Sequence, residues 1–416
     1  MVTRRMFLKS SGLAFLSLGF APTFLARIAE GEPSRRGKIL VTIFQRGAAD
    51  GLNIVVPFGD KHYYDLRPTI AIPPPSAESE LSALDLDGFF GLHPALRPLL
   101  NIYKSGHLAV VHAAGSPDNT RSHFDAQDYM ESATPGVKST PDGWLNRYLL
   151  ARPEKNATPF RAVSMTATLP RTLQGSAPAV ALENISAFTS RVGPASAQLQ
   201  ENLRALYASS GSRLLRDVGM EAFEAMDFLQ KTVTAPYQPA AGAAYPRSPL
   251  GRSLQQVAQL IKADAGVEVA FAETGGWDHH ANEGGVQGQL ASRLTDLAAA
   301  LAAFHVDMGD RMSDIVVLTM SEFGRTAHEN GNRGTDHGHA NVMFVLGGPV
   351  QGGKVYGEWP GVAPEQLNEG RDLALTTDFR DVFGEIVQQH LSLKSPATVF
   401  PNFKLDERNF RGFLKT

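Results

Sequence analysis

Acidic and imidazole side chains gather in the last third of this 416-residue chain, where six of its 12 histidines lie between His279 and His339. Three short apolar runs, 267–271, Ile315–Met320 and 342–346, have the length and the β-branched content of buried strands. The acids and imidazoles beside the ends of these runs are Asp278, His279, His280, Glu322, Asp336, His337 and His339. Open α/β sheets bind ligands at the carboxyl ends of their strands, so this clustering predicts a metal centre.

Two further candidates lie in the first third of the chain. Asp50 and Gly51 follow the apolar run 38–44, where the carboxylate could ligate a metal and the glycine would let backbone come close. An Asp-Gly pair is equally consistent with a plain turn. Ser122 precedes a predicted helix at 126–131, and its hydroxyl could cap that helix or act as a nucleophile beside an anion bound at the helix start.

The chain contains no cysteine, so any metal must be held by nitrogen and oxygen atoms. Mixed imidazole and carboxylate ligands suit Zn²⁺ or Mn²⁺, whereas an oxygen-rich set would favour Ca²⁺ or Mg²⁺. Two such ions about 4 Å apart would hold both the attacking and the leaving oxygen of an in-line displacement. The formal net charge of -3 gives no case for a nucleic-acid partner.

The first 31 residues predict an export signal. Residues 3–9 read T-R-R-M-F-L-K, the pattern of a twin-arginine signal, and a weakly apolar stretch follows at 12–26. That stretch is shorter than the roughly 20 residues of a spanning helix, so we expect no stable membrane span in the mature chain. The twin-arginine translocase is the expected partner, and the expected location is periplasmic or extracellular. A basic amphipathic helix and an uncleaved anchor are the alternatives.

Strands alternate with helices through the rest of the chain. This pattern predicts one α/β domain over 37–416, built on a doubly wound, mostly parallel sheet flanked by helices, with inserted helices and loops at about 195–250. The Pro-rich stretch 57–80 predicts a long loop. The Pro/Ala/Gly stretch 236–249 predicts a flexible surface segment or a lid.

Six motifs carry a family resemblance. They are R-G-A-A-D-G-L-N at 46–53, R-S-H-F-D at 121–125, D-G-W-L-N-R at 142–147, G-G-W-D-H-H at 275–280, S-E-F-G-R-T at 321–326 and D-H-G-H-A at 336–340. Through them the mature chain resembles the twin-arginine-exported family catalogued as domain of unknown function 1501. The order of acids, hydroxyl and imidazoles at strand ends also resembles the alkaline-phosphatase-like superfamily of phosphatases, sulfatases and phosphomutases, which implies a fold of that type.

The superfamily resemblance implies a role for each matching position. One ion would be held by Asp50, Ser122 and Glu322, and a second by Asp278, His337 and either His279 or His280. Ser122 would be the nucleophile, and Arg121 or Arg325 would pair with the non-bridging oxygens of the anion. Phe323 departs from the pattern, because the superfamily commonly has a histidine ligand there. The Cys/Ser-x-Pro-Ser-Arg signature of sulfatases is also absent.

The expected function is therefore an exported, metal-dependent hydrolase of phosphate esters, with sulfate esters ranked second. Its substrate would be a small-molecule or envelope-polymer ester. One alternative is a non-catalytic envelope binding or assembly protein with a degraded metal site, which Phe323 favours. Another is a metal-dependent hydrolase of a different ester class that uses water as the nucleophile.

Overall fold

The computed structural model describes residues 37–154, 157–185, 201–202, 204–211, 213–232 and 236–415. The predicted export signal at 1–31 lies outside these ranges, as does the beginning of the predicted insertion at about 195–250. None of the helices within these ranges combines the length and the hydropathy that a bilayer span requires.

A mixed, mostly parallel sheet runs through the molecule. Its strands in the described ranges are β1 Ile39–Gln45, β5 Leu108–Gly115, β6 Ala162–Ser164, β7 Val180–Ala181, β8 Val269–Thr274, β9 Ile315–Met320, β10 Asn341–Gly347, β11 Lys354–Tyr356 and β12 Thr377–Asp378. They are ordered β11-β5-β10-β9-β1-β8-β6-β7, with β12 beside β5. All the pairings are parallel except those of β10, which runs antiparallel to both β5 and β9. A small antiparallel sheet contains β2 Val55–Val56, β3 Leu84–Asp85 and β4 Gly91–Leu92.

Both faces of the central sheet are covered. Along β1, Ile39, Val41 and Ile43 join one hydrophobic core, whereas Leu40 and Phe44 join the core on the opposite face. A strand that is buried on both sides is mostly apolar; the buried exception in β1 is Thr42, whose hydroxyl donates to the main-chain carbonyl of Ala270 at 3.3 Å. This arrangement confirms the predicted mostly parallel α/β sheet flanked by helices.

The α-helices in the described ranges include α1 Gly51–Ile54, α2 Lys61–Leu66, α3 Arg97–Lys104, α4 His123–Ser132, α5 Trp144–Ala151, α6 Arg213–Thr232, α7 Pro249–Lys262, α8 Gln289–Met308 and α9 Phe379–Glu385. The stripe of Leu290, Leu294, Leu297 and Leu301 on α8 is completely buried. That spacing is the apolar face of an amphipathic helix, and it packs α8 against α7, α3 and the sheet core.

The stretch 236–249 is held against α8 by one buried carboxylate. Asp307 accepts hydrogen bonds from the hydroxyl groups of Tyr237 at 2.6 Å and Tyr245 at 2.8 Å and from the main-chain N–H of Ala240 at 2.7 Å. The ammonium group of Lys262 on α7 completes the set. These bonds tether a segment whose composition predicts flexibility.

Candidate metal centre

The strand directions bring four distant segments to one edge of the sheet. Since β8 and β9 run parallel to β1, the loops that follow them leave at the same edge. Because β10 runs in the opposite direction, its beginning lies at that edge too, as does the end of β5. This topology delivers Asp278 and His280 after β8, Arg325 after β9, His337 before β10 and His123 at the first turn of α4.

Three histidines at this edge share one tautomer. Their Nδ1 atoms face oxygen atoms: His123 faces Oε1 of Glu322 at 2.8 Å, His280 faces Oδ1 of Asp336 at 2.9 Å, and His337 faces the main-chain carbonyl of Arg121 at 2.8 Å. Carbonyl and carboxylate oxygens only accept hydrogen bonds, so each Nδ1 must donate one. When such a ring is neutral, it presents the lone pair of its Nε2 atom, as it does whenever it ligates a metal.

These lone pairs point into one small volume. One ligand atom each from His123, Asp278 and His337 lie within 4.8 Å of one another. Nε2 of His280 lies 3.0 Å from Oδ1 of Asp278 and 2.9 Å from Nε2 of His337. Nε2 of His123 is buried, lies 3.5 Å from Oδ2 of Asp278, and has no hydrogen-bond partner among the described residues. Two imidazole lone pairs 2.9 Å apart repel each other unless a cation lies between or beside them.

The donor set fits a metal with a preference for nitrogen. Three imidazoles and one carboxylate match the ligand types of tetrahedral zinc sites and of manganese, whereas Ca²⁺ and Mg²⁺ prefer oxygen. Each imidazole also has the hydrogen-bonded oxygen behind Nδ1 that metal-ligating histidines usually have. His123, Asp278 and His337, with His280 beside them, are therefore the residues that could hold a divalent ion.

Glu322 lies behind the candidate ligands. Its side chain is completely buried, and its Oε1 accepts hydrogen bonds from His123, from the side chain of Gln127 at 2.8 Å and from the main-chain N–H of Gly47 at 2.9 Å. Burial alone would raise the pKa of Glu322, but the hydrogen bonds from His123 and Gln127 bring that pKa below its ordinary value. The ionised carboxylate predicted as a ligand thus orients the ring of His123.

Asp50 is placed differently from its predicted role. Both of its oxygens bind the guanidinium group of Arg67, with the Nη2–Oδ1 distance at 2.9 Å, and both side chains are buried. The negative charge that was expected to meet a metal is balanced by an arginine. The signal that was missing is Arg67 itself, because it lies in the stretch 57–80 that predicts an unstructured loop.

The two arginines expected to bind an anion also pair with protein carboxylates. Arg325 donates to Oδ1 of Asp278 at 2.7 Å. Arg121 donates to Glu369 and to Asp372, at 2.7 Å in both cases. Burial opposes the ionisation of Asp278, yet the hydrogen bond from Arg325 holds the pKa of Asp278 below its usual value.

The remaining predicted residues surround the cluster. Oγ of Ser122 accepts the main-chain N–H of Asp125 at 3.4 Å, as a helix cap does, and Ser122 is exposed. Asp336 faces His280 from the solvent side. His279 and His339 are buried, and neither belongs to the group of converging ligand atoms found among the described residues.

Two aromatic observations complete the site. Phe323 is buried and stacks on the ring of His123 at a centroid distance of 5.0 Å, and it lies 5.1 Å from the ring of His337. It forms an apolar wall where the superfamily pattern would place a ligand.

His123 is the residue that sequence reasoning missed, although it sits beside Ser122 in the R-S-H-F-D motif.

A family model described as "Protein of unknown function (DUF1501)" matches residues 107–401. The chain belongs to this family, which confirms the resemblance that its motifs predict. No curated protein matches the chain. A solved structure, "Crystal structure of PsFucS1 sulfatase from Pseudoalteromonas sp.", is similar at 11% sequence identity with a TM-score of 0.38, covering 87% of this chain and 69% of that one. A likeness at that score adds no weight to any function.

Proposed function

We propose that this protein is an exported, metal-dependent ester hydrolase, with phosphate esters as its first substrate class and sulfate esters as its second. The observation that carries the proposal is the convergence of ligand atoms from His123, Asp278 and His337 within 4.8 Å of one another, with Nε2 of His280 2.9 Å from Nε2 of His337. Export through the twin-arginine translocase, to the periplasm or beyond, is part of the proposal and is supported by the pattern of residues 3–9.

Each side chain at the site has a separate role in the proposed reaction. A divalent metal held there would polarise the ester and lower the pKa of a water molecule. Glu322 and Asp336 fix the orientation of His123 and His280. Phe323 excludes water from one side, while His280 and Asp336, with side chains 45% and 52% exposed, leave the other side open to a substrate.

Ser122 is the proposed nucleophile. Its hydroxyl is exposed next to His123, at the positive end of the dipole of α4. In the first step Ser122 gives its proton to solvent, an Oγ–P bond forms, and the ester O–P bond breaks as the leaving alcohol takes a proton. In the second step water attacks phosphorus, the Oγ–P bond breaks, and phosphate and the serine hydroxyl are released.

The capping hydrogen bond of Ser122 favours a second candidate. A hydroxyl oxygen that accepts a hydrogen bond from the N–H of Asp125 already caps the helix. In that case water would be the nucleophile, and another ester class, such as carboxylic esters, could be the substrate.

Elemental analysis of the purified protein, combined with thermal unfolding before and after chelation, tests the centre. We expect about one zinc or manganese ion per chain and a fall in Tm of about 5 °C on chelation, since a ligand at 100 times its Kd stabilises by about 2.7 kcal/mol. The metal-dependent activity would be refuted, and a binding role favoured, if the purified protein were metal-free, took up no added Zn²⁺ and showed no change in Tm on chelation.

The nucleophile is tested by two substitutions at one position. Ser122→Ala removes both the hydroxyl and the cap, whereas Ser122→Asn removes the hydroxyl and keeps a capping side chain. On aryl phosphates and aryl sulfates, loss of turnover in both variants supports the serine nucleophile. Turnover that survives in Ser122→Asn assigns the attack to water, and a parallel screen of carboxylic esters then identifies the substrate class.

A further inference from the structure

Arg325 holds Asp278 from a fixed position. Nη1 of Arg325 donates to Oδ1 of Asp278 at 2.7 Å, Nε donates to Oγ of Thr335 at 3.1 Å, and Nη2 donates to the main-chain carbonyl of Thr335. The side chain of Arg325 is 1% exposed, whereas that of Asp278 is 42% exposed. An immobile guanidinium therefore restrains a carboxylate that would otherwise sample several rotamers in solvent.

A buried row of polar side chains anchors Arg325 in turn. The hydroxyl of Thr335 donates to Oε2 of Glu283 at 2.8 Å, and the carboxyl of Glu283 meets that of Asp50, which Arg67 neutralises. Burial, together with the charge of Asp50, raises the pKa of Glu283 well above its ordinary value.

We infer that Arg325 is a positioning residue that fixes Asp278 for metal binding, and that Thr335 and Glu283 hold Arg325 in place. This inference rests on the proposed metal centre and deepens it. It also replaces the expectation that Arg325 binds the anion of the substrate, because the side chain is only 1% exposed and three of its five N–H groups already donate to Asp278 and Thr335. Only Asp278 would touch the metal; Arg325 acts through it.

The positioning role and a purely electrostatic role predict opposite changes in metal affinity when Arg325 is replaced. A guanidinium next to a bound dication repels it, so deleting the charge would strengthen metal binding if charge were all that mattered. If Arg325 positions Asp278, deleting it weakens binding. Lysine keeps the charge but lacks the planar fork that reaches Asp278 and Thr335 together, so Arg325→Lys should behave like a deletion only under the positioning role.

The test is a chelator competition that measures the Kd for Zn²⁺ in the full-length wild type and in Arg325→Met, Arg325→Lys and Thr335→Val. We expect both Arg325 variants to bind Zn²⁺ about 10- to 100-fold more weakly. We expect Thr335→Val, which leaves the charge intact, to bind several-fold more weakly. In the cobalt-loaded protein, the visible ligand-field spectrum should change in Arg325→Lys, which a role in stability alone would not cause.

Thr319→Val is the matched control. Thr319 is also buried, and its hydroxyl also accepts one hydrogen bond, from the N–H of Phe344 at 2.9 Å, but it lies within β9 and touches no candidate ligand. Its Zn²⁺ affinity should equal that of the wild type. If the Arg325 variants do not fold, the Kd of Thr335→Val for Zn²⁺ tests the positioning role.

The outcomes separate the two proposals. Unchanged or tighter Zn²⁺ binding in Arg325→Met overturns the positioning role and leaves the metal centre standing. Unchanged binding in Thr335→Val overturns the anchoring role of Thr335. A wild type that does not bind Zn²⁺ overturns the proposed metal-dependent function itself, and the inference falls with it.

Discussion

Nδ1 of His123 lies 2.8 Å from Oε1 of Glu322, and Glu322 has no exposed surface. The buried charge fixes both the tautomer and the direction of the imidazole, so that Nε2 faces Asp278. The helix start of α4 and the loop after β9 therefore contribute one functional unit.

This unit predicts graded losses of metal affinity. His123→Gln should weaken Zn²⁺ binding by at least about 100-fold because it removes a ligand, and Glu322→Gln by about 10-fold because it only loosens that ligand. Glu131→Gln is the control, since Glu131 is also buried on this side of the sheet but pairs with Arg46 and Thr172. Chelator competition measures all three, and wild-type affinity in His123→Gln would remove His123 from the ligand set.

The ion pair between Asp50 and Arg67 predicts a stability effect in place of a metal effect. Asp50→Asn leaves a buried guanidinium uncompensated, which should lower the free energy of unfolding by about 3–5 kcal/mol. The metal content of the folded fraction should fall no further than in Thr335→Val, because Asp50 reaches Arg325 only through Glu283 and Thr335. Urea unfolding and elemental analysis measure the two quantities, with Asp264→Asn, which breaks a more exposed ion pair with Arg311, as the control at under about 1 kcal/mol. A larger loss of metal from folded Asp50→Asn than from Thr335→Val would restore Asp50 as a ligand.

Two buried histidines predict acid sensitivity. In His93 and His112, Nε2 donates to a main-chain carbonyl and Nδ1 accepts a main-chain N–H, so only the neutral ring satisfies both bonds. Burial lowers the pKa of each to about 4 from 6.5. The stabilisation is therefore complete above pH 6.5 and is lost as the pH falls towards 4, with about 1.4 kcal/mol lost per pH unit for each histidine.

The measurement is the slope of the unfolding free energy against pH between 4 and 6.5. His112→Gln should reduce that slope by the contribution of one proton, whatever it does to the absolute stability. His62→Gln, on the surface of α2, should leave the slope at the wild-type value. A His112→Gln slope equal to that of the wild type would contradict the neutral, doubly bonded ring.

Asp307 predicts a local change in mobility. Asp307→Ala leaves Tyr237, Tyr245 and the N–H of Ala240 without their acceptor, so the stretch 236–249 should detach from α8. We expect faster trypsin cleavage after Arg247 and faster hydrogen exchange at Ala240. Asp310→Ala, at an exposed position just after the end of α8, is the control. Cleavage at the wild-type rate in Asp307→Ala would show that other contacts hold the stretch.

The sheet was predictable because its signals are local. The run Ile315–Met320 forms β9 with the same boundaries, and 342–346 lies within β10, because continuous apolar runs between polar residues suit strands that are buried on both faces. The antiparallel direction of β10 was not predictable. It depends on which neighbours the strand meets, and no short run of residues encodes that.

The site was predictable in location and only partly in membership. Asp278, His280 and His337 follow from clustering at strand ends. Glu322 was predicted as a ligand and His123 was given no role, because a converging side chain differs from the group behind it only through a contact between residues 199 positions apart. Asp50 was predicted as a metal ligand because the local sequence around Arg67, the residue that neutralises Asp50, does not predict that Arg67 is buried.

The main-chain carbonyl that fixes His337 belongs to Arg121, 216 positions earlier in the chain. No shorter portion of the polypeptide contains these side chains together, so the proposed ion could bind only after synthesis has passed the beginning of β10 and the sheet has formed. For a protein that we propose to cross the membrane already folded, the ion would then be available from the compartment of synthesis, and the supply there would influence which ion the site holds.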